Sequence, residues 1–264
     1  MDYLNLKQIE ARCPSALTQN HANHLSHIYK FIPTTEVVSI LGKEGWLPTQ
    51  ALQVNSRKGY ESESLYKKHI LRFRNPTHEN ISKKIGDTFP EIVMTNSHDG
   101  SSSFQFHAGL FRLVCSNGLV IADKTFNKLK ITHKGFDQEQ VMKVIKITTD
   151  RIPLVVGNVQ KMMDKSLTHA QQHEFAKIAS FKRWGEDKII DSNQLIKINR
   201  REDKGNDLWT VFNRVQENML KGGTIIITPK EKGKTKSNRS RSITSINQNL
   251  NTNKMLWELS ENFL

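Results

Sequence analysis

The spacing of apolar residues changes character along the chain. Up to about residue 135 it is mostly two, the period of a half-buried strand; beyond that it is mostly three or four, the period of a helix. Residues 30–42 predict a short helix. Pro33 suits its first turn, Glu36 its N-terminal end, and Val37, Val38, Ile40 and Leu41 its apolar face. Gly42 or Gly45 can end it. Residues 46–54 read as a strand. Residues 65–74 read as a second, with Leu71 and Phe73 on one side, Arg72 and Arg74 on the other, and Asn75-Pro76 as the break. Residues 91–96 predict a third strand, followed by turn chemistry in residues 98–103. Residues 104–121 are mixed. Phe104, Phe106 and Ala108 alternate, whereas Leu110, Phe111, Leu113 and Val114 have helical spacing, so a strand passing into a helix is expected. Asn117-Gly118 then predicts a turn, and residues 119–122 and 128–133 further strands.

In the second half, residues 138–149 place Val141, Val144, Ile145 and Thr148 on one helical face. Pro153 predicts a break or kink before helix resumes at residues 155–164. Thr168, with Gln171 three residues on, predicts a capping box opening a helix to Trp184. Residues 207–221 form the best-marked helix. Asp207 is its N-cap, Leu208, Phe212, Val215 and Met219 its apolar face, and Gly222-Gly223 its C-cap. Residues 253–264 predict a terminal helix buried through Met255, Leu256, Leu259 and Phe263. Segregated strands and helices define an α+β class: an antiparallel β-rich core with flanking helices, followed by a mainly helical C-terminal half. The expected organisation is a polar N-terminal segment (1–29), a β-rich core (30–135) and a helical region (136–264) carrying a basic arm (229–241). The core and helical region are read as one integrated domain.

Charge adds a functional direction. The 264 residues carry a formal net charge of +13, which attracts polyanions; nucleic acid is the commonest, with anionic membrane or an acidic protein as others. Between Lys221 and Arg241, seven Lys and Arg residues face one Glu, so this stretch holds nearly half of the excess. Residues 232–241 contain no apolar side chain and are expected to form a mobile arm or loop. Lys232, Lys234, Lys236, Arg239 and Arg241 are therefore candidate phosphate contacts. A second basic set, Lys67, Lys68, His69, Arg72 and Arg74, lies on the second predicted strand; Lys67, Lys68, Arg72 and Arg74 are its candidate phosphate contacts, with Tyr60 and Tyr66 as nearby candidates for base stacking. The competing explanation is that these charges guard an edge strand against aggregation. Cys13 and Cys115 have neither metal-site nor disulfide spacing, which fits a reducing cytoplasm. No secretion signal is expected at the start of the sequence, and no apolar run approaches the roughly 18 residues of a membrane span.

Other chemistry is weakly marked. His21, His24 and His27, and separately His169 and His173, have spacings that bring neighbours together on a helix, but neither set supplies a full ligand shell. Gly233-Lys234-Thr235 resembles the end of a phosphate-binding loop whose first glycine is replaced by Thr228. Glu186-Asp-Lys188 and Glu202-Asp-Lys204 have the short E-x-K spacing of some nucleases, without a supporting strand or a carboxylate pair for metal ions. Asn213, Arg214 and Glu217 are expected to point outward from their helix, while Gln216 and Asn218 flank its apolar face and can tether a loop. On balance neither cofactor nor enzymatic activity is expected.

Three blocks carry a family resemblance: residues 107–123, residues 207–223, and a C-terminal block from Arg241-Ser-Ile-Thr-Ser-Ile246 to Asn253-Lys-Met-Leu-Trp-Glu-Leu259. Together with Gly45-Trp46, they make the chain resemble, over roughly residues 30–262, a family of phage- and plasmid-borne proteins sharing a domain of unknown function, number 932. The resemblance implies a mobile element in a bacterial cytoplasm. The order helix, Gly-Trp, three strands, helix is also similar to the core of single-strand annealing proteins of the Rad-fifty-two and Red-beta type, from which the chain departs by its longer helical C-terminal half. The expectation is a nucleic-acid-binding protein of a phage or plasmid. It would bind or anneal single-stranded DNA in recombination, replication or repair, as a ring or filament of identical subunits. Two alternatives are an interaction protein that inhibits a host defence factor and an enzyme centred on Asn213, Arg214 and Glu217.

Overall fold

Strand alternation and helix capping account for most of the elements in the computed structural model, which describes residues 2–56, 61–78, 88–112, 118–120, 130–131, 138–231 and 234–264. They fall into two compact units. The first comprises Met1–Arg112 and Asp123–Leu154. It opens with α1 (Leu6–Arg12), set by a capping box in which Asn5 accepts from the Gln8 N–H and Gln8 accepts from the Asn5 N–H, both at 2.9 Å. The polar N-terminal segment is thus built into the unit: Leu4, Ile9, Cys13, Ala16 and Ala22 are all buried. Next comes α2 (Thr34–Lys43), which starts directly after Pro33 without a side-chain cap and buries Val37, Ile40 and Leu41.

Four strands follow, β1 (Leu47–Gln53), β2 (His69–Arg74), β3 (Thr88–Asn96) and β4 (Phe104–Arg112), each antiparallel to the next. Their register sorts the side chains into two faces. Leu71, Phe73, Ile92, Met94, Phe104, Phe106 and Ala108 share one face and are essentially inaccessible. Thr34, at the start of α2, places its Oγ1 2.9 Å from His69 Nε2 on that same face. The opposite face carries Arg72, Arg74, Glu91, Thr95, Gln105 and His107. The helix expected from Leu110 and Phe111 is instead a continuation of β4, because Leu110 pairs with Pro90 and Phe111 with Phe89. Residues 113–117, with the rest of that expectation and Cys115, lie outside the described residues. The strand expected at residues 65–68 is also corrected: Glu61–Tyr66 forms a 3₁₀ turn and β2 begins at His69.

Two short strands, β5 (Gly118–Val120) and β6 (Lys130–Ile131), come next; β6 pairs with the start of β4. Helix α3 (Gln138–Asp164) runs through Pro153 without the expected break. Its residues through Leu154 belong to the first unit and those from Val155 to the second.

The second unit consists of Leu113–Ala122 and Val155–Leu264. Its main helices are α4 (His169–Trp184), α5 (Leu208–Lys221) and α6 (Ile246–Glu261). Thr168 and Gln171 form the expected capping box on α4, Asp207 accepts from the Thr210 N–H at 2.8 Å to cap α5, and Ser245 caps α6. The last helix begins seven residues earlier than its apolar pattern implied, since Ser245-Ile-Asn-Gln248 supplies a local start signal. Trp209 stacks on Phe212, and Phe212 meets Trp257 edge-on, so aromatic rings join α5 to α6. Between these helices lies a two-stranded hairpin of β7 (Ile225–Pro229) and β8 (Thr235–Arg239). Among the described residues, no helix is long and apolar enough to cross a membrane.

Candidate nucleic-acid interface

The basic arm is an ordered β-hairpin, which corrects the expectation of a mobile loop. Ile225 pairs with Arg239, Ile227 with Ser237 and Pro229 with Thr235. Backbone bonds do not depend on side-chain hydrophobicity, so a strand without apolar residues can still be held by its neighbour. The hairpin base is tied down on three sides. Gly223 N–H donates to Ser240 O at 2.8 Å, Ile189 and Ile227 exchange backbone bonds, and Gln194 bonds both backbone groups of Ile225. Lys230, Lys234, Lys236, Arg239 and Arg241 are all exposed. Strand alternation sets Lys234 and Lys236 on one face, with Thr228 opposite Lys236, and Arg239 on the other. Lys232 lies outside the described residues.

The strand set is placed differently. Arg72 and Arg74 are buried at 5% and 7% exposure, and both bind the fully buried Glu91. Arg72 Nη1 is 2.6 Å from one carboxylate oxygen and Arg74 Nε 2.8 Å from the other. Both charges are engaged inside the protein, so these residues do not form the open cationic face expected of them. The alternation was read correctly; the partner, Glu91, comes from the adjacent strand and compensates the charge. Lys67 is half-buried and paired with Glu63 at 2.7 Å, and Lys68 is half-buried. Tyr66 is half-buried in the 3₁₀ turn, and Tyr60 lies outside the described residues.

Helix α5 is buried almost all round, so Asn213, Arg214 and Glu217 do not point outward. Asn213 donates to Trp209 O within the helix. Arg214 donates to the carbonyls of Ile196 and Gly205 and to Gln172 Oε1; burial lowers its pKa, against the opposing influence of Asp203 and Asp207. Glu217 takes a two-pronged ion pair from Arg200, 2.5 Å on each prong, and a further bond from Lys221. Arg200 also reaches Asp203, the buried middle residue of the second E-x-K sequence, whose Glu202 and Lys204 are exposed and solvated as expected. Asn218 does tether a loop, donating to Leu195 O and Lys197 O and accepting from Asn199. This polar helix therefore braces chain segments through Arg214, Glu217 and Asn218.

The sequence reading missed a buried network in the first unit. His69 Nδ1 lies 3.1 Å from Ser15 Oγ, its Nε2 lies 2.9 Å from Thr34 Oγ1, and Asn96 donates to Thr34 Oγ1 at 3.1 Å. The rings of His69 and His98 are 5.2 Å apart. Burial pushes the His69 pKa down to about 4, while the Lys67 carbonyl and Asp99 oppose the shift. The alternation that put His69 beside Leu71 and Phe73 was the available signal. Elsewhere, His24 and His21 bond backbone carbonyls in turns, while His169 and His173 face each other on α4 with His173 against Ser192. Among the described residues, no three His, Cys, Asp or Glu side chains are grouped to hold a metal ion.

Fold and surface together define an α+β protein with a solvent-facing cationic ribbon. The chain belongs to the family defined by a domain of unknown function, DUF932, whose model matches residues 22–257. It is 33% identical to the UPF0380 protein YfjQ and 32% identical to the UPF0380 protein YafZ, both of Escherichia coli K12, in each case over 252 residues that cover 95% of this chain and 88% of the relative. No solved structure matches it.

Proposed function

We propose that this protein binds nucleic acid through the β7–β8 hairpin, holding single-stranded DNA by its phosphates during recombination, replication or repair of a phage or plasmid in a bacterial cytoplasm. The observation that carries this reading is the concentration of exposed Lys and Arg on an ordered two-stranded ribbon. A cation fixed on a paired strand loses less freedom on meeting a phosphate than one on a floppy arm. The side chains of β8 are Thr, Lys, Ser, Asn and Arg, which suit contacts to a sugar-phosphate backbone and leave the bases free to pair. Assembly into a homo-oligomer would align several ribbons along one strand.

The test is a salt titration of oligo-dT binding. The logarithm of the affinity should fall linearly with the logarithm of salt, with each phosphate contact contributing roughly 0.7 to the slope. Replacing Lys234, Lys236, Arg239 and Arg241 by Gln should flatten the slope by roughly two to three. Absence of binding at low salt, or a slope unchanged in the variant, would overturn the assignment.

A further inference from the structure

A second feature of the C-terminal unit has the chemistry of a ligand site. The end of α4 and the first turns of α6 line an open cleft of about 470 Å³, a size that suits a small organic ligand. Its charge has one sign: Lys182 and Arg183 line it and, among the described residues, no carboxylate does. Arg183 is half-buried. Its Nη1 donates to Thr252 Oγ1 at 3.1 Å, and its guanidinium carbon lies 4.9 Å from the centre of a Trp184 ring. Its Nε is buried without a hydrogen-bond partner, and it forms no ion pair among the described residues. Burial lowers its pKa, and no acidic group offsets the loss. A partly desolvated cation without a counter-charge is a cost that an incoming anion would remove.

The other walls point to an aromatic and hydrogen-bonding ligand. Trp184 is half-buried, whereas Trp46, Trp209 and Trp257 are at most 4% exposed. Gln248 and Asn251 are exposed on the facing helix, and their side chains make no hydrogen bond among the described residues. Each amide offers a donor and an acceptor side by side, the pattern that pairs with the edge of a base. The negative end of α4 explains why cations are found in its last turn. It does not explain an unpartnered buried Nε or two uncommitted amides lining the same space.

We propose that this cleft binds one nucleotide unit, with Lys182 and Arg183 on the phosphate, Trp184 against the base, and Gln248 and Asn251 on the base edge. Thr252 orients the guanidinium. The proposal rests on the nucleic-acid reading insofar as a strand supplies the nucleotide; a free mononucleotide presents the same chemistry. A base must leave its stack to enter, so the cleft would give the hairpin a preference for single strands that phosphate contacts alone do not provide.

Calorimetric titration with dAMP, and anisotropy titration with labelled oligo-dT and a labelled duplex, separate the possibilities. They are run on the wild type, Arg183→Gln, Lys182→Gln, Trp184→Phe and the four-residue hairpin variant, with thermal melts as folding controls. Loss of the guanidinium should weaken dAMP or oligo-dT binding about tenfold and leave duplex binding unchanged. Lys182 is exposed, so its replacement tests the phosphate role without disturbing packing; a reduction of a few-fold is expected. If dAMP binds and oligo-dT does not, the cleft stands as a free-nucleotide site and the hairpin assignment falls. If oligo-dT binds, dAMP does not, and neither Arg183→Gln nor Lys182→Gln alters oligo-dT affinity, the cleft proposal is overturned while the hairpin reading survives. Absence of binding by both probes overturns both.

Discussion

His69 shows how much a single buried side chain can decide. Its imidazole lies on the apolar face of the sheet, with both ring nitrogens close to hydroxyl groups, and its pKa is pushed down to about 4. The unfolded chain binds the proton near the ordinary histidine value of about 6.5, so between these values the unfolded state takes up more protons than the folded state. Stability present above about pH 6.5 should therefore be lost as the pH falls toward 4, by about 2 kcal/mol at pH 5 and about 3 kcal/mol at pH 4. Urea denaturation of the wild type and of His69→Gln checks this: the variant should be weaker at pH 7, and its stability should change less from pH 7 to 5. An equal loss in both proteins would assign the acid sensitivity to other groups. The arginines teach a related lesson. The sequence places Arg72 and Arg74 on one side of a strand, but whether that side is wet depends on Glu91, which lies on a different strand. Periodicity reports which residues share a face and is silent about what covers it.

At the scale of elements, the signals that could be read in the sequence were local ones. Thr168 with Gln171, Asp207, and Gly222-Gly223 act on backbone groups a few residues away, so their spacing alone sets where α4 and α5 begin and where α5 ends. The missed elements depend on distant partners. β4 stays extended through Phe111 because β3 offers an unbroken ladder, which outweighs the helical spacing of the apolar residues. β8 is a strand because β7 pairs with it, although its own composition resembles a solvated loop. The hairpin's position depends on the step out of α5. Gly222 has φ +75°, and a Cβ there would lie 2.6 Å from backbone atoms of Arg241 and Ser242. Gly223 has φ +84° with open space around it. Gly222→Ala should therefore cost about 2–3 kcal/mol or more, combining strain with a backbone clash, and Gly223→Ala only about 1 kcal/mol. Thermal melts of the two variants make the comparison; equal losses would mean that the Arg241 backbone moves aside freely.

For the molecule as a whole, the proposed polyanionic partner rests on the net charge of +13, nearly half of which falls between Lys221 and Arg241. Light scattering with and without oligo-dT should give a mass above that of one chain, increasing when the strand is added; a single-chain mass under both conditions would remove the oligomer from the proposal. The bulk charge was legible from composition, and the hairpin candidates from their clustering. The cleft at Trp184 was not, because its walls come from helices more than sixty residues apart in sequence. The hairpin has one more consequence. Among the described residues, β8 has β7 on one side and no strand on the other, so its outer row of backbone donors and acceptors remains open. A bare row of this kind is a template on which any unpaired chain can zip, the first step of fibril growth. Lys236 and Arg239 act as gatekeepers, since a like-charged copy is repelled before it can dock. The charges assigned to gripping phosphate thus also keep the protein from polymerising edge to edge, and a hairpin stripped of them is the form expected to aggregate.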